Sequence, residues 1–233
     1  MSQTAISGRT IRRYLSRPRR MLTDAVVYLI VAAILLWSLF PVLYAFVTSI
    51  KTVKEIYTQP YRLIPENPTF LPYKYILLLS PTFPRQMLNS IIVALGSVLL
   101  TVLMATMGGY SFSRLDWRLR DLVFYSFIVC MFIPRAGTLM AQYELMEFLH
   151  LRNSLVGLIL AFGAGLAVPI FVMRQTFLNI PRELEESAYI DGAGTWTVMW
   201  RIAVPLSTGG MLVVAILKFV QVWGNYLFVL TMI

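Results

Sequence analysis

The sequence predicts an all-α fold, a polytopic bundle of membrane-spanning helices, and three observations carry that prediction. Of the 233 residues 58% are hydrophobic and 13% charged, with a mean hydropathy of +0.71, whereas a water-facing domain of this length needs more polar cover. The apolar residues gather in five runs, each reaching the roughly 20 residues a helix needs to cross a bilayer. The basic residues behind the net charge of +9 lie mostly at the ends of those runs, not in one stripe interleaved with aromatics, so no nucleic-acid partner is expected. A single cysteine, Cys130, and a single histidine, His150, exclude an intrachain disulfide framework and a multi-Cys or His-cluster metal site. Cys130 reads as a packing residue and His150 as an interfacial one.

The chain opens with a basic segment, residues 1–24, holding Arg9, Arg12, Arg13, Arg17, Arg19 and Arg20. The apolar run at 25–48 that follows is too long for a signal-peptide core and has no clear small-residue cleavage site, so it is expected to be a retained first span. The arginines anchor the N-terminus in the cytoplasm; contact with acidic membrane lipid is the other role open to them. Further spans are expected at 88–112, 122–142, 154–176 and 206–232, so that 25–233 forms the transmembrane part. Alternation puts 49–87 and 143–153 outside and 113–121 and 177–205 inside. Arg114, Arg118 and Arg120 in the short 113–121 loop, against one arginine and two glutamates in 143–153, agree with that topology.

The external segment 49–87 contains Pro60, Pro65, Pro68, Pro72, Pro81 and Pro84, and interior prolines remove helix hydrogen bonds. It is expected to be an irregular cap with a short helix near 73–79, covering the bundle or touching an external partner. Within the spans, Gly108, Gly109, Gly157, Ala161, Gly163 and Gly165 allow close helix approach. Pro41, Pro134 and Pro169 predict kinks, which suit either a moving pathway or static packing. In the last span Lys218 lies at membrane depth, followed by Gln221, Trp223 and Asn225. A buried lysine is costly unless paired or beside a watery cavity. One reading makes this polar face the lining of a path for a hydroxyl-rich solute; the other makes it interhelical hydrogen bonding to a partner chain. Arg135, beside Pro134, is a weaker candidate that can snorkel outward.

The longest polar interruption in the second half runs over 181–205, within the loop 177–205. Pro181 suits a first helical turn, and Glu183, Glu185 and Glu186 suit the positive end of the helix dipole. Gly192 and Gly194 predict the helix stop. Ser187 and Ala188 are small enough to let a partner approach. A second short helix is expected at 195–203, with Pro205 opening the last span. On these grounds the segment is a helix–turn–helix lying along the membrane and fit to dock a cytoplasmic partner; a solvated connecting loop is the alternative.

Glu186-Ser187-Ala188, then Gly192, then Ile202-Ala203-Val204-Pro205 resembles the cytoplasmic signature of bacterial ABC-importer permeases of the carbohydrate-uptake type. That signature is Glu-Ala-Ala, three residues, Gly, nine residues, then Ile-x-Leu-Pro; Ser187 and Val204 are the departures. Asp191-Gly192-Ala193 and Trp223-Gly224-Asn225-Tyr226 also resemble the carbohydrate branch, with Gly224 separating the Trp and Asn usually paired there. The resemblance implies the transmembrane subunit of an ATP-driven importer in the plasma membrane of a bacterium or archaeon. A sugar or related polyol would be delivered by an external solute-binding protein. A second permease would complete a heterodimer, and two ATPase subunits would bind ATP and Mg and dock on Glu185, Glu186, Ser187, Ala188, Asp191, Gly192, Ala193, Ile202 and Pro205. It also implies six spans, and a sixth is missing from this sequence, which stops at Ile233.

No cofactor is expected on this chain, which contains no G-x-x-x-x-G-K-[ST] phosphate loop. Nor is it expected to be an enzyme: there is no H-E-x-x-H, no close acidic pair within a span, and one histidine only. The alternative function is an ion-coupled secondary transporter of a small polar solute, with Lys218 serving the coupling, although no convincing internal repeat supports it.

Overall fold

A computed structural model describes residues 17–233; residues 1–16, the side chains of 17–22 and those of Arg135 and Ala136 lie outside the description. The arginine anchor of the N-terminus and the snorkelling of Arg135 therefore fall outside the described residues. Every regular element among the described residues is helical. The chain divides into two compact units, Met1–Pro81 and Thr82–Ile233.

In the first unit, α1 (Arg17–Ser49) carries Pro41 inside it without being ended by it. Its stretch Thr23–Ser49 has a mean hydropathy of 2.6, and none of its most apolar window is buried within the chain. Trp37 is 82% exposed. Such a surface belongs against lipid or another apolar chain, not water.

Beyond it, α2 (Val53–Thr58) starts where the Thr52 hydroxyl accepts from the Glu55 amide at 3.3 Å. This helix was not among the expected elements. The expected one near 73–79 is α3 (Leu71–Lys74) running into a wide π turn, Tyr75–Leu79. The irregular stretch between is tied down by Lys51, whose buried Nζ donates to the carbonyls of Gln59, Pro60 and Arg62. The Tyr44 hydroxyl adds a bond to the Pro60 carbonyl at 2.8 Å, and the Glu66 amide donates to Glu55 Oε1 at 2.9 Å.

The second unit is built around α4 (Phe83–Arg114), a 32-residue helix of mean hydropathy 2.3. Ala94, Ser97, Thr101, Ala105 and Gly109 make a buried stripe of small residues along one side at helical spacing. Against it pack α7 (Leu155–Gly163), α8 (Ala167–Leu178) and α12 (Thr208–Trp223). The approach is close: a Cβ on Gly109 would stand 2.5 Å from the Met173 Cβ, and one on Gly163 2.5 Å from Leu100 Cδ2. The small residues of the spans thus serve helix contact. One core cluster joins Tyr110, Phe112, Phe124, Met173 and Phe177 near the α4 C-terminus. A second joins Ala94, Leu158, Phe162, Val222 and Phe228.

The structure departs from five straight spans in three places, two of them beside the prolines expected to kink the helices. The third is split into α5 (Arg120–Cys130) and α6 (Leu139–Phe148), separated by a turn and the 3-10 turn Arg135–Thr138. Pro134 is extended there (φ −68°, ψ 125°). The 11 residues of α5 reach only about 16 Å, half a bilayer core. Cys130, expected in packing, is exposed at its end.

The fourth span is the pair α7 and α8, bent by 51°. Its break comes before Pro169, which stands in the first turn of α8, where a proline costs nothing. The last span is α12 followed, after Gly224 and Asn225, by α13 (Tyr226–Met232). Among the described residues two helices, Thr23–Ser49 and Phe83–Arg114, are long and apolar enough to cross a membrane, or up to four spans if each of two bent pairs, Leu155–Gly163 with Ala167–Leu178 and Thr195–Leu206 with Thr208–Trp223, is one.

Candidate functional site

The polar loop after α8 folds into α9 (Glu183–Ile190) and a second arm made of α10 (Thr195–Val198), a π turn (Met199–Ala203) and α11 (Val204–Leu206). Arg182 is the N-cap of α9, and its carbonyl accepts from the Glu185 and Glu186 amides, each at 2.9 Å. Pro181 therefore precedes the helix instead of opening it. The acidic first turn is as expected, with Glu183, Glu185 and Glu186 in place.

The helix stop is a full two-bond C-terminal motif. The Ala193 amide donates to the Ala188 carbonyl at 2.9 Å and the Gly192 amide to that of Tyr189 at 3.0 Å. Gly192 has φ +84°, a left-handed conformation that glycine adopts without strain. Gly194 is extended and begins the second arm. That arm runs past 203 and swings into α12 through a 73° bend at Ser207, so Pro205 lies just before the bend and does not open the span. The wide π turn ahead of it relieves the clash a proline makes with the preceding turn.

Helical phase divides the expected docking residues. Glu186, Ser187, Asp191, Gly192 and Pro205 are exposed, and Ala188, Ala193 and Ile202 half-buried. Ile190, which the sequence reading passed over, is 86% exposed at the helix end. Glu185 is different. It is buried, accepts from Arg114 Nε at 2.7 Å through Oε1, and from the Tyr110 hydroxyl at 3.2 Å through Oε2. A carboxylate held this way offers no surface to a partner, and its grouping with the docking residues is corrected.

Arg114 does more than neutralise it. Its Nη2 donates to the carbonyls of Phe177 and Ile180 at 2.8 and 2.7 Å, at the C-terminal end of α8. Arg174 returns the contact: its Nε donates to the Phe112 carbonyl near the end of α4 at 3.2 Å, with its guanidinium 4.3 Å from the Phe124 ring centroid. Two helices thus finish side by side, each arginine bonding carbonyls at the end of the other: those of Ile180 and Phe112 gain a donor, while the Phe177 carbonyl also accepts from the Ile180 amide at 3.1 Å. Tyr110 and Arg114, four apart on α4, were the sequence signal for this arrangement.

A cavity of about 660 Å³ lies among α6, α7, α12 and α13, with Gln142, Gln221 and Asn225 on largely apolar walls that include Leu139, Phe162 and Leu227. The polar face expected in the last span is divided here. Gln221 and Asn225 line the cavity, and Asn225 also caps α13 by accepting from the Phe228 amide at 3.2 Å. Lys218 does not line it: it is buried, with Nζ donating to the Phe162 carbonyl at 2.9 Å and the Gly165 carbonyl at 3.2 Å, at the break between α7 and α8. Trp223 faces outward and stacks on Phe219 at 5.4 Å.

A family model described as "Binding-protein-dependent transport system inner membrane component" matches residues 5–233. A probable ABC transporter permease protein of Pyrococcus horikoshii is 32% identical over 206 residues, covering 84% of this chain and 74% of the relative. The sulfoquinovosyl glycerol transport system permease protein of Agrobacterium fabrum is 33% identical over 204 residues, covering 87% and 71%. The sn-glycerol-3-phosphate transport system permease protein of Yersinia pestis is 28% identical over 206 residues, covering 86% and 72%. Among solved structures, a chain of a bacterial ABC transporter involved in the import of the acidic polysaccharide alginate superposes with a TM-score of 0.78 at 22% identity, over all of this chain and 78% of the other. That last likeness establishes the fold, a multi-helix membrane bundle. With a family match across nearly its whole length and relatives above 30% identity, this chain belongs to the binding-protein-dependent transport system inner membrane components, the permeases of ABC transporters.

Proposed function

We propose that this chain is one of two permease subunits of an ATP-driven importer for a sugar or related polyol. In this reading an external binding protein delivers the solute, and two ATPase subunits, which carry the ATP and Mg, dock on the outer face of α9. The observation that carries it is the exposed ridge of Glu183, Glu186, Ile190 and Gly192 on a helix with defined ends. Ser187, Ala188, Asp191, Ala193, Ile202 and Pro205 surround that ridge. Segment 1–24 and the loop 177–205 are then cytoplasmic and 49–87 external, within a transmembrane part of 25–233 in a bacterial or archaeal plasma membrane. The unburied flank of α1 is free to meet lipid or the second permease.

The solute class rests on the cavity and on the relatives. The glycerol-containing solutes in two of their names are rich in hydroxyls, and Gln142, Gln221 and Asn225 offer amide donors and acceptors for such groups. A cavity of about 660 Å³ falls in the range that suits small ligands. Ion coupling would need Lys218 available, and its amine is engaged with two carbonyls.

Glu186→Lys is expected to lose the ATPase subunits on purification and to abolish uptake while membrane insertion persists; co-purification and uptake at the unsubstituted level would sink the docking assignment. In a Cys130→Ser background, Ser187→Cys is expected to react with an impermeant maleimide only from the cytoplasmic side. Labelling from outside would invert the topology.

A further inference from the structure

We propose that Glu185, Arg114 and Tyr110 form a transmission joint that makes α9 move as one body with the C-terminal ends of α4 and α8. The inference deepens the docking reading and rests on it. Docking alone moves nothing if the loop swings freely on its connection to α8. Here it does not swing. One guanidinium, rooted in α4, holds the carbonyls of Phe177 in the last turn of α8 and of Ile180 just past it through Nη2, and the α9 carboxylate through Nε. The Tyr110 hydroxyl takes the second carboxylate oxygen, and the Tyr110 ring packs edge-on to Phe177 at 5.5 Å.

Both side chains of the ion pair are 6% exposed, so the pair is little screened by salt. Only a planar fork can serve these three acceptors together; a lysine ammonium is a point donor on a flexible stem. Adjacent residues on a helix point about 100° apart. Glu185 and Glu186 therefore divide the work, one turned into the bundle and the other toward the docking partner. A push on the Glu186 face reaches α4 and α8 through Glu185.

The test uses the complete transporter, this chain with its second permease, ATPase subunits and binding protein, reconstituted in liposomes. Two quantities are read: retention of the ATPase subunits, and solute taken up per ATP hydrolysed. Glu185→Gln is expected to retain the subunits and to lower uptake per ATP by about tenfold or more. Tyr110→Phe, which removes the hydroxyl's bonds to Glu185 and Tyr189 and keeps the ring on Phe177, is expected to lower it about threefold. A role confined to folding would reduce yield and leave the ratio unchanged. An unchanged ratio in Tyr110→Phe, or in an assembled Glu185→Gln, overturns the joint. If Glu185→Gln does not assemble, Tyr110→Phe decides. A complex in which Glu186→Lys still holds its ATPase subunits overturns the docking reading instead.

Discussion

Two polar segments interrupt the apolar helices, the cap between α1 and α4 and the loop between α8 and α12, and each keeps a charged side chain buried. Their wiring differs. Lys51 donates to carbonyls only 8 to 11 residues further along its own segment. Glu185 bonds to residues 71 and 75 positions away on another helix. The first pattern folds a stretch of proline-rich chain onto itself, so its bonds begin and end within one segment. The second ties a surface helix into the bundle, so disturbing either partner reaches the other. A buried charge by itself therefore says nothing about whether a loop is held by its own residues or tied to distant helices; the span of its hydrogen bonds does.

The sharpest way to break this contrast is Arg114→Ala, which strands the Glu185 carboxylate without its cation and the Ile180 carbonyl without its side-chain donor. It is expected to cost about 3–5 kcal/mol, seen as a lower unfolding temperature of the whole second unit in detergent; loosening confined to 179–207 would show the wiring to be local after all. Gly109→Val comes next, since its Cβ would meet the Met173 Cβ at 2.5 Å and the Arg174 amide nitrogen at 2.9 Å. Overpacking there is expected to cost about 1–3 kcal/mol and to loosen Arg174 from Phe112, measurable as faster hydrogen exchange at both helix ends.

Lys51→Met is expected to cost about 1–2 kcal/mol and to open only residues 59–66 to proteolysis; a matching loss of order in α4 would erase the distinction between the two segments. Smallest is Gly192→Ala. A Cβ there meets nothing within 4 Å, but φ of +84° makes the change cost about 1–2 kcal/mol, detectable as fraying of α9 by hydrogen exchange, with the Arg114 contacts intact.

Much of this was legible in the sequence. The acidic first turn and Gly192 marked the two ends of α9, because capping chemistry is local. The long apolar runs marked α1 and α4. Pro134 and Pro169 marked kinks without showing how far each helix breaks, and the interruption at Gly224 was less legible still. Hydropathy does not fall where a helix bends, so runs such as 122–142 and 206–232 read as continuous. Two arginines carried more than the sequence showed. Arg114 reads as loop charge bias alone and Arg174, inside the 154–176 run, does not stand out, yet their donors reach carbonyls of the neighbouring helix. Glu185 and Glu186 look equivalent as letters and are separated only by helical phase.

Lys218 joins features described so far one at a time. It belongs to α12, one arm of the 73° elbow at Ser207, and its Nζ is seated on carbonyls at the 51° elbow between α7 and α8. Parting the two elements would take the Phe162 and Gly165 carbonyls from a buried amine, and losing hydrogen bonds in an apolar surrounding is costly. Two bends that look independent along the chain are thus joined by one buried side chain, which ties the helix after Ser207 to the α7–α8 break beside the cavity wall.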